Sequence, residues 1–421
     1  MPCHSNGLED EANLTVDIGT ILANRYQVVK SIGMGSSSRV FQCCDLKRKE
    51  MVCVKVLSNE GNNFDAGLSE IRILMLFNQD DAMAEEPVVK LHDYFYFKEH
   101  LIIVTECLRE TLTQHLKFAH GSSGVGINPA VVAAQAKKLL KALKFIHSHD
   151  AIHCDIKPDN ICLESQDPCH VKLIDFGSCV CRLDSLNSYM QSRWYRAPEV
   201  ILGIPPDFKV DLWSLGCTLA EEVVGFPIFK GSSIAAVLAA QQAVLGPHPT
   251  TLLAKSQPDV RAMYFMPNDK LYVLDPPGEE RAAYKLLPVP QPLAELLSSN
   301  DSLMGDFIAS LLQYEPANRP DASAALEHPF LANVPDPPLA SIQELSAALV
   351  DDGTQNVTNL SSASSSFSSE ARTASSFRGE APSRLSSFNG IPPRSSTSAS
   401  VLSHAGLLDT EPLWSKASRS V

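Results

Sequence analysis

The stretch His153-Cys154-Asp155-Ile156-Lys157-Pro158-Asp159-Asn160 concentrates more chemistry than any other part of the chain. Asp155 stands five residues before the amide of Asn160, and Lys157 follows the carboxylate by two. A loop of this composition can orient a nucleophilic hydroxyl, steady a phosphoryl group and hold one metal ion. Downstream, Asp175-Phe176-Gly177 closes the apolar run Val171-Lys172-Leu173-Ile174 and offers a second acidic metal ligand at a strand end.

The elements that must position these groups lie upstream. Arg25-Tyr26-Gln27-Val28-Val29 is strand-like in its β-branched and aromatic content and leads into Ile32-Gly33-Met34-Gly35-Ser36-Ser37-Ser38-Arg39-Val40-Phe41. Two glycines at this spacing let a hairpin turn approach phosphates with backbone N–H donors, although glycine turns between strands are common and the pair alone is a weak signal. Met51 to Leu57 is an apolar strand interrupted by Lys55. A buried, unpaired ammonium is expensive, so Lys55 requires phosphate oxygens or a carboxylate. Phe64 to Asn78 fits an amphipathic helix with Leu68, Ile71, Leu74 and Met75 on one stripe, and Glu70 beside that stripe is the candidate partner of Lys55. Val88–Leu91 and Leu101–Val104 read as strands around a turn near Lys98-Glu99-His100, and the second runs into a hinge at Thr105-Glu106-Cys107-Leu108. After a flexible connector at Gly121 to Gly126, Pro129 to His149 is helical by pattern and ends directly before the catalytic stretch; Val132, Ala136, Leu139, Leu140, Leu143 and Ile146 form its apolar face.

Tyr189-Met190-Gln191-Ser192-Arg193-Trp194-Tyr195-Arg196-Ala197-Pro198-Glu199 completes the pattern. With it, residues 26 to 332 resemble a eukaryotic protein kinase. The HCDxKPxN loop, DFGS and YxQSRxYRAPEVILG are most similar to the dual-specificity tyrosine-regulated kinases (DYRK) of the CMGC group. The resemblance implies an α+β, two-lobed fold: a small, mostly antiparallel β lobe over about 26–107, a large helical lobe over about 108–332, and a CMGC-like insert over about 246–292. It implies ATP contacts from Ile32, Gly33, Gly35, Val40, Lys55, Glu70, Glu106 and Leu108, the last two through hinge backbone, with Thr105 behind the adenine. Asp155 would orient the substrate hydroxyl, Lys157 would stabilise the transferring phosphoryl, and Asn160 and Asp175 would hold Mg2+.

Further expectations follow from the same resemblance. Tyr189 is autophosphorylated in cis, mature activity falls on serine and threonine of protein substrates, and Arg193 favours proline after the target residue. A phosphate on Tyr189 would be clamped by Arg193 and Arg196, since Cys154 stands where many kinases carry a clamping arginine. Asp211, near the start of the helix Asp211-Leu212-Trp213-Ser214-Leu215-Gly216-Cys217, is placed to brace the catalytic loop, and Glu199 to pair structurally with Arg319. Two departures stand out: Ser38 replaces the third loop glycine, and Asn187 replaces the first tyrosine of the YxY pair. The alternative is a pseudokinase-type scaffold that binds nucleotide and partners without transfer; a small-molecule kinase on the same fold fits the Ala197-Pro198-Glu199 segment and the insert less well.

Composition bounds the rest. The net charge of -13 opposes nonspecific nucleic-acid binding, and the apolar share of 44% over 421 residues suits a sizeable core. No run of about 18 apolar residues predicts a membrane span. Eleven cysteines without a CxxC pair fit reduced thiols in a cytoplasmic or nuclear setting better than zinc or disulfides; Cys154 and Cys179, flanking the two loops, fit small buried thiols better than a redox pair. Residues 1–25 read as a disordered arm and 333–421 as a Ser-rich disordered tail, with one possible helix at Leu339–Leu349 and serines near Arg384 and Arg394 as candidate phosphorylation sites.

Overall fold

The computed structural model describes residues 14–35, 37–123, 128–181, 190–271, 291–297, 301–332 and 334. Tyr189, Asn187, residues 272–290 of the insert, the first thirteen residues and the predicted tail helix and serines lie outside the described residues.

The small lobe is a six-stranded antiparallel sheet in the order β1-β2-β3-β4-β6-β5. Its strands are β1 (Ile21–Leu22), β2 (Tyr26–Met34), β3 (Ser38–Asp45), β4 (Glu50–Leu57), β5 (Leu91–Phe97) and β6 (His100–Glu106). Period-two alternation divides β4 between two environments. Val52, Val54 and Val56 are buried with Val28, Phe41, Ile102 and Val104 on the outer face, whereas Cys53 and Lys55 turn towards the cleft. Helix α1 (Gly61–Asn78) packs on the cleft side of the sheet through Ile71, Ile73, Leu74 and Phe77. Met75, expected on the apolar stripe, is 39% exposed; Ile73 and Phe77 take the inward places instead, because the helix contacts both the sheet and the large lobe.

Residues 14–25 depart from the expected arm. Ile21 and Leu22 pair with Gln27 and Tyr26, and Val16 and Leu22 are buried against the outer face of the sheet. The three-residue turn between β1 and β2 places Ala23 and Asn24 both at positive φ and is closed by the Arg25 N–H on the Leu22 carbonyl at 3.0 Å. Alanine gives no hint of that conformation, and the short alternation Leu14, Val16, Ile18 stops before the two strand residues Ile21 and Leu22. The two-residue β5–β6 hairpin also uses positive φ, at Lys98 and Glu99, the geometry that suits the twist of its strands. Strand β5 begins at Leu91, so Val88 to Lys90 is not the strand expected but a bridging segment alongside the large lobe.

The large lobe is built on α3 (Pro129–Ser148) and α5 (Lys209–Val224). Asn128 caps α3 by accepting the Ala130 N–H, and every residue of the expected apolar face is buried. Helix α2 (Leu112–Ser123) occupies the first part of the expected connector. Short strands β7 (Ala151–Ile152), β8 (Ile161–Leu163), β9 (Val171–Leu173) and β10 (Val180–Cys181) pair as β7–β10 and β8–β9, which sets the loops between them at the cleft. Helix α4 (Pro198–Ile201) and α6 (Ile234–Leu245) follow, and the insert begins with helices Thr250–Lys255 and Pro258–Tyr264. Among the described residues no helix is long and apolar enough to cross a membrane.

Glu199 and Arg319 form a fully buried bidentate pair at 2.6 and 2.7 Å. The guanidinium also donates to the carbonyls of Gln313, Tyr314 and Lys209 and lies over Trp213 at 5.0 Å. Such complete satisfaction makes a buried charge tolerable; loss of either partner would cost about 3–5 kcal/mol. The ordered N-terminal hairpin yields a sharper test. Leu22→Ala should destabilise the domain by about 2–5 kcal/mol in denaturant unfolding; a change below about 0.5 kcal/mol, typical of exposed positions, would mean that β1 contributes nothing to the fold.

Candidate active site

Antiparallel registers bring the cleft's upper wall together. Gly33 pairs with Val40 and Val40 with Lys55, so Val40 and Lys55 are cross-strand neighbours beneath the glycine turn. A Cβ on Gly33 would already touch Val40 at 3.4 Å, while the Gly35 N–H closes the turn on the Ser38 carbonyl at 2.8 Å. Ser38 is buried and pairs with Leu57, so the serine at the third glycine position continues strand β3 without breaking its register. Ile32 is exposed at the lip of the hairpin.

The Lys55 ammonium reaches two carboxylates. Its Nζ lies 2.8 Å from Glu70 Oε2, on α1, and 2.8 Å from Asp175 Oδ1, in the loop after β9. Burial works against the lysine's charge and pulls the Glu70 carboxyl upward, but the two carboxylates raise the Lys55 pKa above its ordinary value. Lys55 is therefore held as an ammonium. Its charge in turn lowers the Asp175 carboxyl to about 2. Asp175 adopts φ 62, and Gly177 places its N–H 3.4 Å from Asp175 Oδ1. Phe176 between them is fully buried, edge-on to Phe77 of α1 at 5.5 Å and to His153 at 4.8 Å. One aromatic thus ties the helix carrying Glu70 to both loops.

The second loop is fixed from beneath. Asp211 is wholly buried; it accepts the backbone N–H groups of His153 at 2.9 Å and Cys154 at 3.0 Å, and His147 Nε2 at 2.9 Å. Burial alone would raise this carboxyl, yet the His147 contact and these N–H donors lower it, so it stays ionised. These bonds hold Cys154 at φ 63, a strained conformation for a non-glycine residue. His153 accepts the Asp155 N–H through Nδ1, which leaves Nε2 to donate to the Ile174 carbonyl. Cys154 and Cys179 are both buried free thiols whose pKa values burial pushes up, an environment for inert rather than redox-active sulfur.

Asp155 faces the cleft with both oxygens engaged. Oδ2 accepts from Lys157 Nζ at 2.6 Å and Asn160 Nδ2 at 2.8 Å, and Oδ1 accepts the Ser192 N–H at 3.2 Å. Lys157 also donates to Ser192 Oγ at 2.9 Å, so the activation segment is joined to the catalytic loop at one residue. Because its Nδ2 is committed to Asp155, the Asn160 amide turns its oxygen the other way. That oxygen and the Asp175 carboxylate are hard donors, the set that suits Mg2+. Among the described residues no group of three or more His, Cys, Asp or Glu side chains converges on one point, so a cation here would complete its shell with phosphate oxygens and water.

The expected arginine pair divides. Arg193 is exposed and donates to the Ser232 carbonyl at 2.7 Å. Arg196 is buried, and its Nε and Nη2 cap the Gln191 carbonyl at 3.3 and 2.8 Å. The two side chains thus make different contacts here, and Tyr189, whose phosphate they were expected to hold, lies outside the described residues. Gln191, which sequence reasoning passed over, is the centre of the segment's tight turn. It adopts φ 68, donates to Val210 O and Ser214 Oγ, and accepts the Ala197 N–H at 2.9 Å. His147, His153, Phe176 and Ser192 were likewise not singled out. His153, Phe176 and Ser192 stand inside the quoted motifs and His147 shortly before one, and that placement is their only signal.

Residues 26–331 match the protein kinase domain family. The chain belongs to the protein kinase family. Within it the chain is DYRK-like. It is 33% identical over 313 residues to human dual specificity tyrosine-phosphorylation-regulated kinase 4, covering 74% of this chain and 58% of that one. It is 32% identical to Drosophila melanogaster dual specificity tyrosine-phosphorylation-regulated kinase 2, covering 77% and 44%, and 32% identical to the DYRK-family kinase pom1 of Schizosaccharomyces pombe, covering 78% and 30%. The chain thus spans between 30% and 58% of the length of these relatives. A crystal structure of a kinase domain superposes with a TM-score of 0.69 at 26% identity, covering 76% of this chain and 99% of that one.

The Lys55–Asp175 contact has a pH signature. With a folded-state pKa of about 2 against an ordinary 3.8, the Asp175 carboxylate contributes stability above about pH 4 and loses it as pH falls towards 2. Lys55→Met should return the Asp175 carboxyl to the ordinary range or above it, read by carboxyl NMR titration. An unchanged titration in the variant would show that the lysine does not set this charge.

Proposed function

We propose that this kinase domain transfers the γ-phosphoryl group of Mg-ATP to serine and threonine hydroxyls of protein substrates, with cis autophosphorylation of Tyr189. One observation carries the reading: a single ammonium, Lys55, holds Glu70 and Asp175 together at 2.8 Å each, the arrangement of a closed, assembled nucleotide site. A scaffold that only bound nucleotide would use this triad but would have no need of Asp155 held by Lys157, Asn160 and the Ser192 N–H.

In this reading the glycine hairpin covers the phosphates, and hinge backbone at Glu106 and Leu108 receives the adenine beside Thr105. Lys55 steadies the phosphates. Asn160 and Asp175 would hold Mg2+, which when bound neutralises phosphate charge. The acceptor hydroxyl approaches Asp155, held by Lys157, Asn160 and the Ser192 N–H. Asp155 orients the hydroxyl by accepting its hydrogen bond. The hydroxyl oxygen bonds to the γ-phosphorus as the bridge to the β-phosphate breaks, Asp155 takes the proton, and Lys157 offsets charge on the moving group.

Gln191 supports a preference for proline immediately after the target residue. Its positive φ turns the carbonyl away from the cleft and Arg196 occupies that oxygen, although the residue adjoins Ser192 at the catalytic loop. A substrate residue with a backbone N–H would find no acceptor there and leave a desolvated donor. Proline has none to lose.

Two experiments test the proposal. Mass spectrometry of protein expressed in bacteria should find phosphate on Tyr189 and on tail serines in wild type and none in Asp155→Ala or Lys55→Met. Bare Tyr189 with modified serines would leave the kinase and remove tyrosine self-activation; no phosphate anywhere with nucleotide still bound would favour the scaffold. In peptide assays, replacing proline after the target serine by alanine should lower kcat/KM about tenfold, the effect of one orphaned donor of about 1–3 kcal/mol. Equal rates for the two peptides would end the proline assignment.

A further inference from the structure

Behind the hinge lies an ion cluster that the catalytic machinery described above does not use. Lys172, in β9, is nearly buried, and its Nζ lies 2.8 and 2.9 Å from the two carboxylate oxygens of Glu106 and 3.2 Å from Glu164 Oε1. Glu106 is the last residue of β6, where the small lobe passes into the hinge. Its carboxylate also accepts the Lys90 N–H at 2.8 Å, and its own N–H donates to the Lys90 carbonyl at 3.1 Å. Lys90 belongs to the segment that clasps β9 from the other side: Val89 donates to the Leu173 carbonyl at 3.0 Å, and Leu173 donates to the Pro87 carbonyl at 2.9 Å. Hinge, bridging segment and β9 therefore close a ring around one ammonium. Burial alone would lower the Lys172 pKa, but Glu106 and Glu164 raise it, so the charge persists.

We infer that Lys172 is a positioning residue for the nucleotide, its ammonium fixing the hinge backbone at Glu106 against strand β9, which leads into Asp175. This rests on reading the cleft as the nucleotide site. The physical reason is reach. Asp175 follows Lys172 by three residues, and Ile174 between them donates its N–H to the Asn160 carbonyl at 3.0 Å. A shift of β9 relative to the hinge would change the distance between the adenine end of the slot and the metal-holding end. A bidentate ion pair on a nearly buried lysine resists that shift more than apolar packing can, because sliding breaks charge-assisted bonds. The pair would thus act on ATP affinity ahead of the transfer step.

The test compares wild type, Lys172→Met and Lys172→Arg. KM for ATP and kcat are measured with a protein substrate, and ADP affinity by calorimetry with Mg2+. Lys172→Met should raise KM for ATP and weaken ADP about fivefold or more while kcat stays within about twofold, and Lys172→Arg should restore both constants. Should Lys172→Met fail to fold, Glu106→Gln, which keeps an acceptor for the Lys90 N–H, should produce the same rise in KM. Unchanged KM and ADP affinity in a folded variant, or equal losses in kcat and affinity, would overturn the inference. If wild type binds ADP but transfers no phosphate, the activity proposal fails, and the calorimetric arm still decides the role of Lys172.

Discussion

A positive charge in a half-buried cleft cannot be left alone, and the architecture around this site follows from that constraint. Lys55 projects from the centre of an apolar strand whose alternate residues fill the outer core of the small lobe. Its charge is affordable only when α1 presents Glu70 and the loop after β9 presents Asp175. The three elements come from different parts of the chain, so one ion triad coordinates the placement of the sheet, the helix and the large lobe's loop. Phe176 reinforces the arrangement without charge, since its burial against Phe77 and His153 requires helix and loop to be in the same place.

The large lobe solves the complementary problem with anions. Asp211 is an ionised carboxylate in a fully buried site, stabilised by two backbone N–H groups and His147. It converts what would be a strained loop at Cys154 into a fixed platform for Asp155. Glu199 and Arg319 do the same for the end of the activation segment, with the guanidinium bonded on every side. In each case a buried charge is tolerable because its partners are complete, and that completeness specifies one geometry where an apolar core would accept several.

Much of this was legible in the sequence because the chemistry is carried by residue types that are costly elsewhere. A lysine inside a β-branched strand, a glutamate beside a helix's apolar stripe and an aspartate after an apolar run each signal a partner. The spacing from Asp155 to Asn160 fixes a loop in which one side chain can serve the other. What escaped was set by context. The hairpin of Ala23 and Asn24 depends on positive φ in residues that do not announce it. Met75 faces outward and Ile73 inward because α1 has two packing partners, which a single stripe cannot encode. Arg196 also bonds a carbonyl five residues back, a contact that exists only because of the turn at Gln191 and that no spacing in the sequence announces.

Strand β9 shows how these devices cooperate. At one end Leu173 is clasped by the bridging segment and Lys172 by the hinge carboxylate. At the other end Ile174 is bonded to the catalytic loop and Asp175 to Lys55 of the small lobe. Four consecutive residues, Lys172 to Asp175, thus touch the hinge, the bridging segment, the catalytic loop and the cleft wall. Two ammonium groups act from opposite sides of the same strand, one reaching from the large lobe to the hinge and the other from the small lobe to the loop. Each lysine by itself would pin the lobes ionically at one point only. Together they define a line, and a line constrains rotation as well as separation, which is what a site must control when adenine is held at one end and phosphate at the other.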